Sequence, residues 1–156
     1  MGGENSMSDS NNIIRLSSND YQKKYRAELE PMIHAKRLMY KIPDKPNTTN
    51  IPEKQVSWIV SCAITQKFAV KTMEEVQLTK SSRIDIYIPS HQIGIEVKIN
   101  GRRSKGSRKG ETPYQQLARY RRCKMIKIAY LVSLDGSIGY NIEELLVKLE
   151  RDLRVR

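Results

Sequence analysis

The sequence predicts an α/β domain whose elements run α-β-β-β-α-β-α, and three patterns carry that prediction. From Arg83 to Lys98, isoleucine or valine falls at 84, 86, 88, 93, 95 and 97, the period-two alternation of paired strands. Val56, Ile59, Val60, Ala63 and Ile64 recur at helical spacing, as do Ile142, Leu145, Leu146, Leu149 and Leu153, each set forming one core-facing stripe. Met125 to Leu134 is near-continuously apolar and rich in β-branched residues, the pattern of a buried central strand.

Composition bounds the rest. A chain of 156 residues is one domain with room for a core that needs no staples. The net charge of +11 favours a polyanionic partner, nucleic acid before an anionic membrane. No apolar run approaches the roughly 18–20 residues of a spanning helix, and the polar N-terminus does not read as a signal peptide. Cys62 and Cys123 are too few for an iron–sulfur cluster or a four-cysteine zinc site. Both fall in predicted helices as reduced packing residues, which points to the cytoplasm.

In chain order, residues 1–18 are rich in Ser, Asn and Gly and read as disordered. Residues 19–50 form a helical arm and linker. Asn19 caps a helix from Tyr21 towards Tyr40, Pro31 bends or divides it, and Lys41 to Asn50 is a Pro/Asn/Thr linker. The domain proper covers 51–156. Pro52 opens a helix to about Gln66, and Phe68 to Leu78 forms the first strand. The hairpin follows, turned by Pro89-Ser90-His91-Gln92. Thr112, Pro113 and Gln115 stand as N-cap, first residue and capping-box partner of the next helix, and Asn141 with Glu144 caps the last.

A hairpin turn centred on Ser90-His91 sets Asp85 directly opposite Glu96, with Cβ atoms about 4.5–5.5 Å apart. Lys98 shares their face and the isoleucines point to the other. Two carboxylates that close repel unless positive charge sits between them. Oxygen ligands so spaced suit Mg²⁺ or Mn²⁺, which takes one or two carboxylates together with water and substrate phosphate. A slip of one residue would separate Asp85 from Glu96. The same pattern also describes a solvated face, with Asp85 in cross-strand ion pairs with Lys98 or Arg83.

The arrangement Asp85…Glu96-Val97-Lys98 on consecutive strands resembles the signature of the PD-(D/E)XK nuclease superfamily, over roughly Pro52 to Leu153, with Ile84 in place of the signature proline. The resemblance implies a restriction-endonuclease-like core with a mixed central sheet, beside the N-terminal helical arm. It also implies a divalent ion held by Asp85, Glu96 and the Val97 carbonyl, with Lys98 orienting the nucleophile and stabilising developing charge. Members similar to archaeal Holliday-junction resolvases keep a metal-directed glutamate in the preceding helix, and Glu53 stands at that place. Read without the resemblance, Glu53 is a favourable partner of the helix dipole; Glu74 and Glu75 are secondary candidates. Gln116 and Tyr120 look like the QxxxY motif of RecB-type members, where Gln approaches the active centre and Tyr the nucleic acid. Otherwise Tyr120 packs on the sheet, Gln116 lies at the surface, and Gln115 competes for its role.

Arg102, Arg103, Lys105, Arg108 and Lys109 fill a glycine-rich stretch that is either a solvated linker or a phosphate contact. Arg119, Arg121, Arg122 and Lys124 extend the basic surface. Without interleaved aromatics the stretch offers no stacking platform. His34 and His91 are isolated, and no nucleophile–histidine triad is visible. The expected function is therefore a Mg²⁺-dependent DNA endonuclease with no small-molecule cofactor and no membrane partner. One site per domain calls for a homodimer to cut both strands. A four-way junction, a specific duplex site and single-stranded ends compete as substrates. A non-catalytic nucleic-acid-binding protein is the alternative from another class.

Overall fold

The computed structural model of the chain describes residues 53–99 and 110–154, with Ser17, Asp20, Lys23 and Lys24. The expected disorder before Ser17, the Pro31 bend, the linker at 41–50 and the basic stretch at 102–109 lie outside the described residues. Near the N-terminus the Ser17 hydroxyl accepts the Asp20 backbone N–H at 3.2 Å. That is the bond a helix cap makes; Asn19, the expected cap, lies outside the described residues. Lys24 forms an ion pair with Glu143 of the C-terminal helix.

Helix α1 (Glu53–Phe68) buries the predicted stripe and also Ser57, Trp58, Ser61 and Cys62. Ser61 can be fully buried because its hydroxyl bonds that of Thr72 at 2.7 Å. The helix outruns its expected end at Gln66 and stops at Ala69, whose φ of 53° leaves the helical path. This corrects the first strand: β1 is Met73–Thr79, and Phe68 belongs to the helix.

Strands β2 (Ser82–Ile88) and β3 (Ile93–Lys98) form the hairpin. Their pairs are Ile86 with Ile95, Tyr87 with Gly94 and Ile88 with Ile93, the register expected from a turn at Ser90-His91. Strand β4 (Ile128–Ser133) lies parallel to β3, while β1–β2 and β2–β3 are antiparallel. The mixed sheet has the order β1-β2-β3-β4. Helices α2 (Pro113–Arg121) and α3 (Ile142–Arg154) complete it, and both start with reciprocal caps. Thr112 and Gln115 exchange bonds at the first, Asn141 and Glu144 at the second.

Two cores sandwich the sheet. The larger joins Ile59 and Ile64 of α1 and Leu145 and Leu149 of α3 to Ile86, Ile95 and Val132. Burying each such side chain contributes about 1.5–3 kcal/mol. The smaller joins Tyr120 of α2 to Ile84, Tyr87 and Ile126. Gly94 sits under this second cluster because a Cβ there would meet Ile126 Cδ1 at 2.8 Å and Ile84 Cδ1 at 3.0 Å.

Several expectations change. The hairpin is not half-buried: β3 is buried at every position, covered on both faces. Ile84 does not join the other isoleucines but packs with Tyr87 and Tyr120. In the neighbouring β1, Glu75 takes a positive φ of 52°, and the β1–β2 register shifts between Gln77 and Thr79. β4 is shorter than Met125–Leu134 and ends the sheet instead of lying at its centre. Tyr140, bridging to Val132, shields its outer edge. Cys123 lies just past α2, not in a helix.

Candidate active site

The paired ladder ends at Ile86–Ile95, and Asp85 and Glu96 are the residues just beyond it on the two strands. There the Asp85 carboxylate accepts the backbone N–H of Val97 at 2.7 Å. The side chain thus fixes itself to the strand that carries Glu96 and Lys98. Glu96 is 3% exposed and Lys98 0%, and Lys98 Nζ lies 3.2 Å from Glu96 Oε2. The other oxygen, Glu96 Oε1, is buried without a hydrogen-bond partner. A buried carboxylate oxygen in that state is costly unless a proton or cation meets it.

Glu53 joins from the first turn of α1. Burial, then the charge of Asp85, pushes its pKa up to about 7, with Lys98 opposing. Asp85 is raised by burial and by the charge of Glu75, against the bonds from Glu96 and Val97 and the charge of Lys98. Glu96 stands well above the usual carboxylate range, first from burial and then from Asp85. Burial is the first cause of all three shifts, and the positive charge of Lys98 opposes each.

The α2 side closes the site. Gln116, 0% exposed, donates from Nε2 to the Tyr120 hydroxyl at 2.8 Å. Burial and then the charge of Glu96 push the Tyr120 pKa up to about 12, so the phenol keeps its proton. Gln115 is taken up by the Thr112 capping box, which removes it from competition with Gln116. Tyr120 itself is buried, so it packs on the sheet as the plainer reading has it and its ring is not presented to solvent.

Arg119 also differs from its expected place. It meets Glu111 through two nitrogens, at 3.0 and 3.1 Å, and bonds the Ser82 hydroxyl. It braces α2 against the start of β2. Arg121, Arg122 and Lys124 are exposed. Arg102, Arg103, Lys105, Arg108 and Lys109 lie outside the described residues.

Among the described residues no group of three or more His, Cys, Asp or Glu side chains forms a ready-made metal cage. The donor set present is instead two carboxylates on β2 and β3, with Glu53 nearby on the first turn of α1. That set fits Mg²⁺, which keeps several waters and takes one or two carboxylates. The orphaned Glu96 Oε1 fits a divalent cation as well. Sequence reasoning ranked Glu75 behind Glu53, yet Glu75 acts electrostatically on Asp85. The signal was the β1–β2 register, which only the paired strands reveal. Comparison with known proteins finds no family model, no curated protein and no solved structure that matches the chain.

Proposed function

We propose that the chain is a divalent-metal-dependent phosphodiester hydrolase with a restriction-endonuclease-like core of the PD-(D/E)XK type. More particularly, we read it as a Mg²⁺-dependent DNA endonuclease acting as a homodimer in the cytoplasm, with four-way junctions slightly ahead of other substrates. One observation carries the reading. Asp85, Glu96 and Glu53 converge from two strands and a helix on a fully buried lysine. The net charge of +11 supports a polyanionic substrate.

Asp85 and Glu96, with the Val97 carbonyl, would hold the ion. Mn²⁺ would serve in place of Mg²⁺. Bound there, the ion supplies Lewis acidity toward the phosphate and a lowered pKa for the attacking water. Lys98 places a positive charge where the phosphate gains negative charge, inside a low-dielectric site that strengthens it. Glu53, its pKa pushed up to about 7, is close to half-protonated at neutral pH and would lose that proton when a cation binds nearby. Gln116 donates to the Tyr120 hydroxyl oxygen and so holds that side chain beside the carboxylates. Arg122, exposed on the α2 side, contacts phosphate together with the basic stretch at 102–109.

The test is incubation of the purified chain with supercoiled plasmid, single-stranded DNA and a labelled four-way junction, in Mg²⁺, Mn²⁺ or EDTA. Metal-dependent cutting, strongest on the junction, is the expected result. Binding of the same DNAs without cutting would replace the enzyme with a non-catalytic nucleic-acid-binding protein.

A further inference from the structure

We infer that Tyr114 is a stacking platform for an unpaired base, and that the substrate therefore carries a single-stranded or unstacked nucleotide beside the reacting phosphate. The inference rests on the nuclease reading above and narrows its substrate. Tyr114 is 58% exposed. Among the described residues no other aromatic is so open to solvent: Trp58, Tyr87, Tyr120 and Tyr130 are buried, and Phe68 and Tyr140 are half-buried. Single exposed apolar residues are common, so exposure alone assigns nothing. Rigidity, place and charge do.

The ring is held at both ends. Its backbone lies in the capped first turn of α2, after Pro113, and its hydroxyl accepts the Gly139 backbone N–H at 3.0 Å. Gly139 is itself pressed onto β4: a Cβ there would lie 2.2 Å from the Leu131 carbonyl oxygen, which accepts the Tyr140 N–H at 2.9 Å. A flat ring fixed in this way loses little freedom when a base lies on it. Its place is tied to the site through β4. Ser133 is the strand partner of Lys98, and its hydroxyl donates to the Ile138 carbonyl at 2.7 Å and accepts the Ile138 N–H at 3.1 Å. Ile138 precedes Gly139, so a short run of bonds joins the neighbour of Lys98 to Tyr114. Charge completes the surface. From Tyr114 the exposed face of α2 runs through Ala118 to Arg121, about 10 Å along the axis, with exposed Arg122 beside it. One face thus offers a ring for a base and cations for the phosphates that follow, which is how single strands are held. A gap or a strand-exchange point, where bases leave the stack, suits it better than continuous duplex.

The experiment measures DNA binding in EDTA, which holds off metal-dependent cutting, by the full chain and by Tyr114→Leu, Tyr114→Ala and Tyr114→Phe. Circular dichroism melts show that each is folded. The probes are a continuous duplex, the same duplex with a short single-stranded gap, and a single strand, the last two carrying a fluorescent aminopurine at an unpaired position. Tyr114→Leu and Tyr114→Ala should bind the gapped and single-stranded DNA about tenfold more weakly and the duplex almost as before. Tyr114→Phe keeps the ring and should stay near the unaltered chain. Aminopurine emission should be quenched by the unaltered chain and Tyr114→Phe but not by the other two, a signature that a merely structural role would not move. If Tyr114→Leu binds and quenches like the unaltered chain, or loses duplex and unpaired DNA alike, the assignment of Tyr114 falls while the nuclease reading stands. If the unaltered chain binds none of the three DNAs, both fall together.

Discussion

The Asp85 carboxylate accepts the backbone N–H of Val97 across the hairpin, at 2.7 Å. One side chain therefore both faces the reacting centre and closes the strand pair that positions Glu96 and Lys98. The two duties separate by substitution. Asp85→Asn keeps an oxygen for Val97 and should melt close to the unaltered chain while losing metal-dependent cutting. Asp85→Ala leaves a buried N–H unsatisfied and should lose about 1–3 kcal/mol as well, measured by urea unfolding in EDTA.

Glu53 makes stability depend on pH in a stated direction. Its pKa rises from 4.5 to about 7 on folding, so between those values the folded chain binds more protons than the unfolded one. Stability in EDTA should therefore fall as pH rises from 4.5 to about 7, and level off above. Asp85 and Glu96, also raised, act in the same direction. Saturating Mg²⁺ should reverse much of the loss at neutral pH and release protons into unbuffered solution. Unfolding curves at several pH values, with and without Mg²⁺, check both.

Lys98 is the counterweight of the cluster. Lys98→Met keeps much of the volume but leaves the buried carboxylates facing one another, and should destabilise the metal-free chain by roughly 3 kcal/mol at pH 8. Glu96→Gln should cost far less, because burial already favours the neutral acid. Guanidinium unfolding of the two variants in EDTA gives the comparison, and equal losses would contradict the charge account.

Arginines on the α2 side should divide by place. Arg119, bound to Glu111 and Ser82, acts within the fold, so Arg119→Ala should lower stability by about 1–3 kcal/mol and leave the salt dependence of DNA binding nearly unchanged. Arg122 is exposed; Arg122→Ala should leave stability alone and reduce the salt slope by about 1. Melts and filter binding at several salt concentrations read the two effects.

The hairpin was legible because alternating isoleucines and the Pro89–Gln92 turn admit one register, and that register carries Asp85 and Glu96 with it. The helix caps were legible because Thr112/Gln115 and Asn141/Glu144 satisfy their own end groups locally. What escaped depends on partners distant in sequence. An apolar run such as Met125–Leu134 looks the same at the centre of a sheet or at an end that Tyr140 shields. Arg119 and Arg122 are one residue type near one helix, and only the position of Glu111 and Ser82 separates them. The turn of Ile84 away from its fellows goes with its packing against Tyr120 and Ile126, partners that the alternation alone does not reveal.

The most direct test of the central claim is Mg²⁺-dependent strand scission of DNA by the unaltered chain beside Glu96→Gln and Lys98→Met, each shown by melting to be folded under the assay conditions. The account predicts scission by the unaltered chain that EDTA abolishes, with losses of at least about a hundredfold in both variants. Scission that survives in folded Glu96→Gln and Lys98→Met, or no scission by the unaltered chain in Mg²⁺ or Mn²⁺, would contradict it.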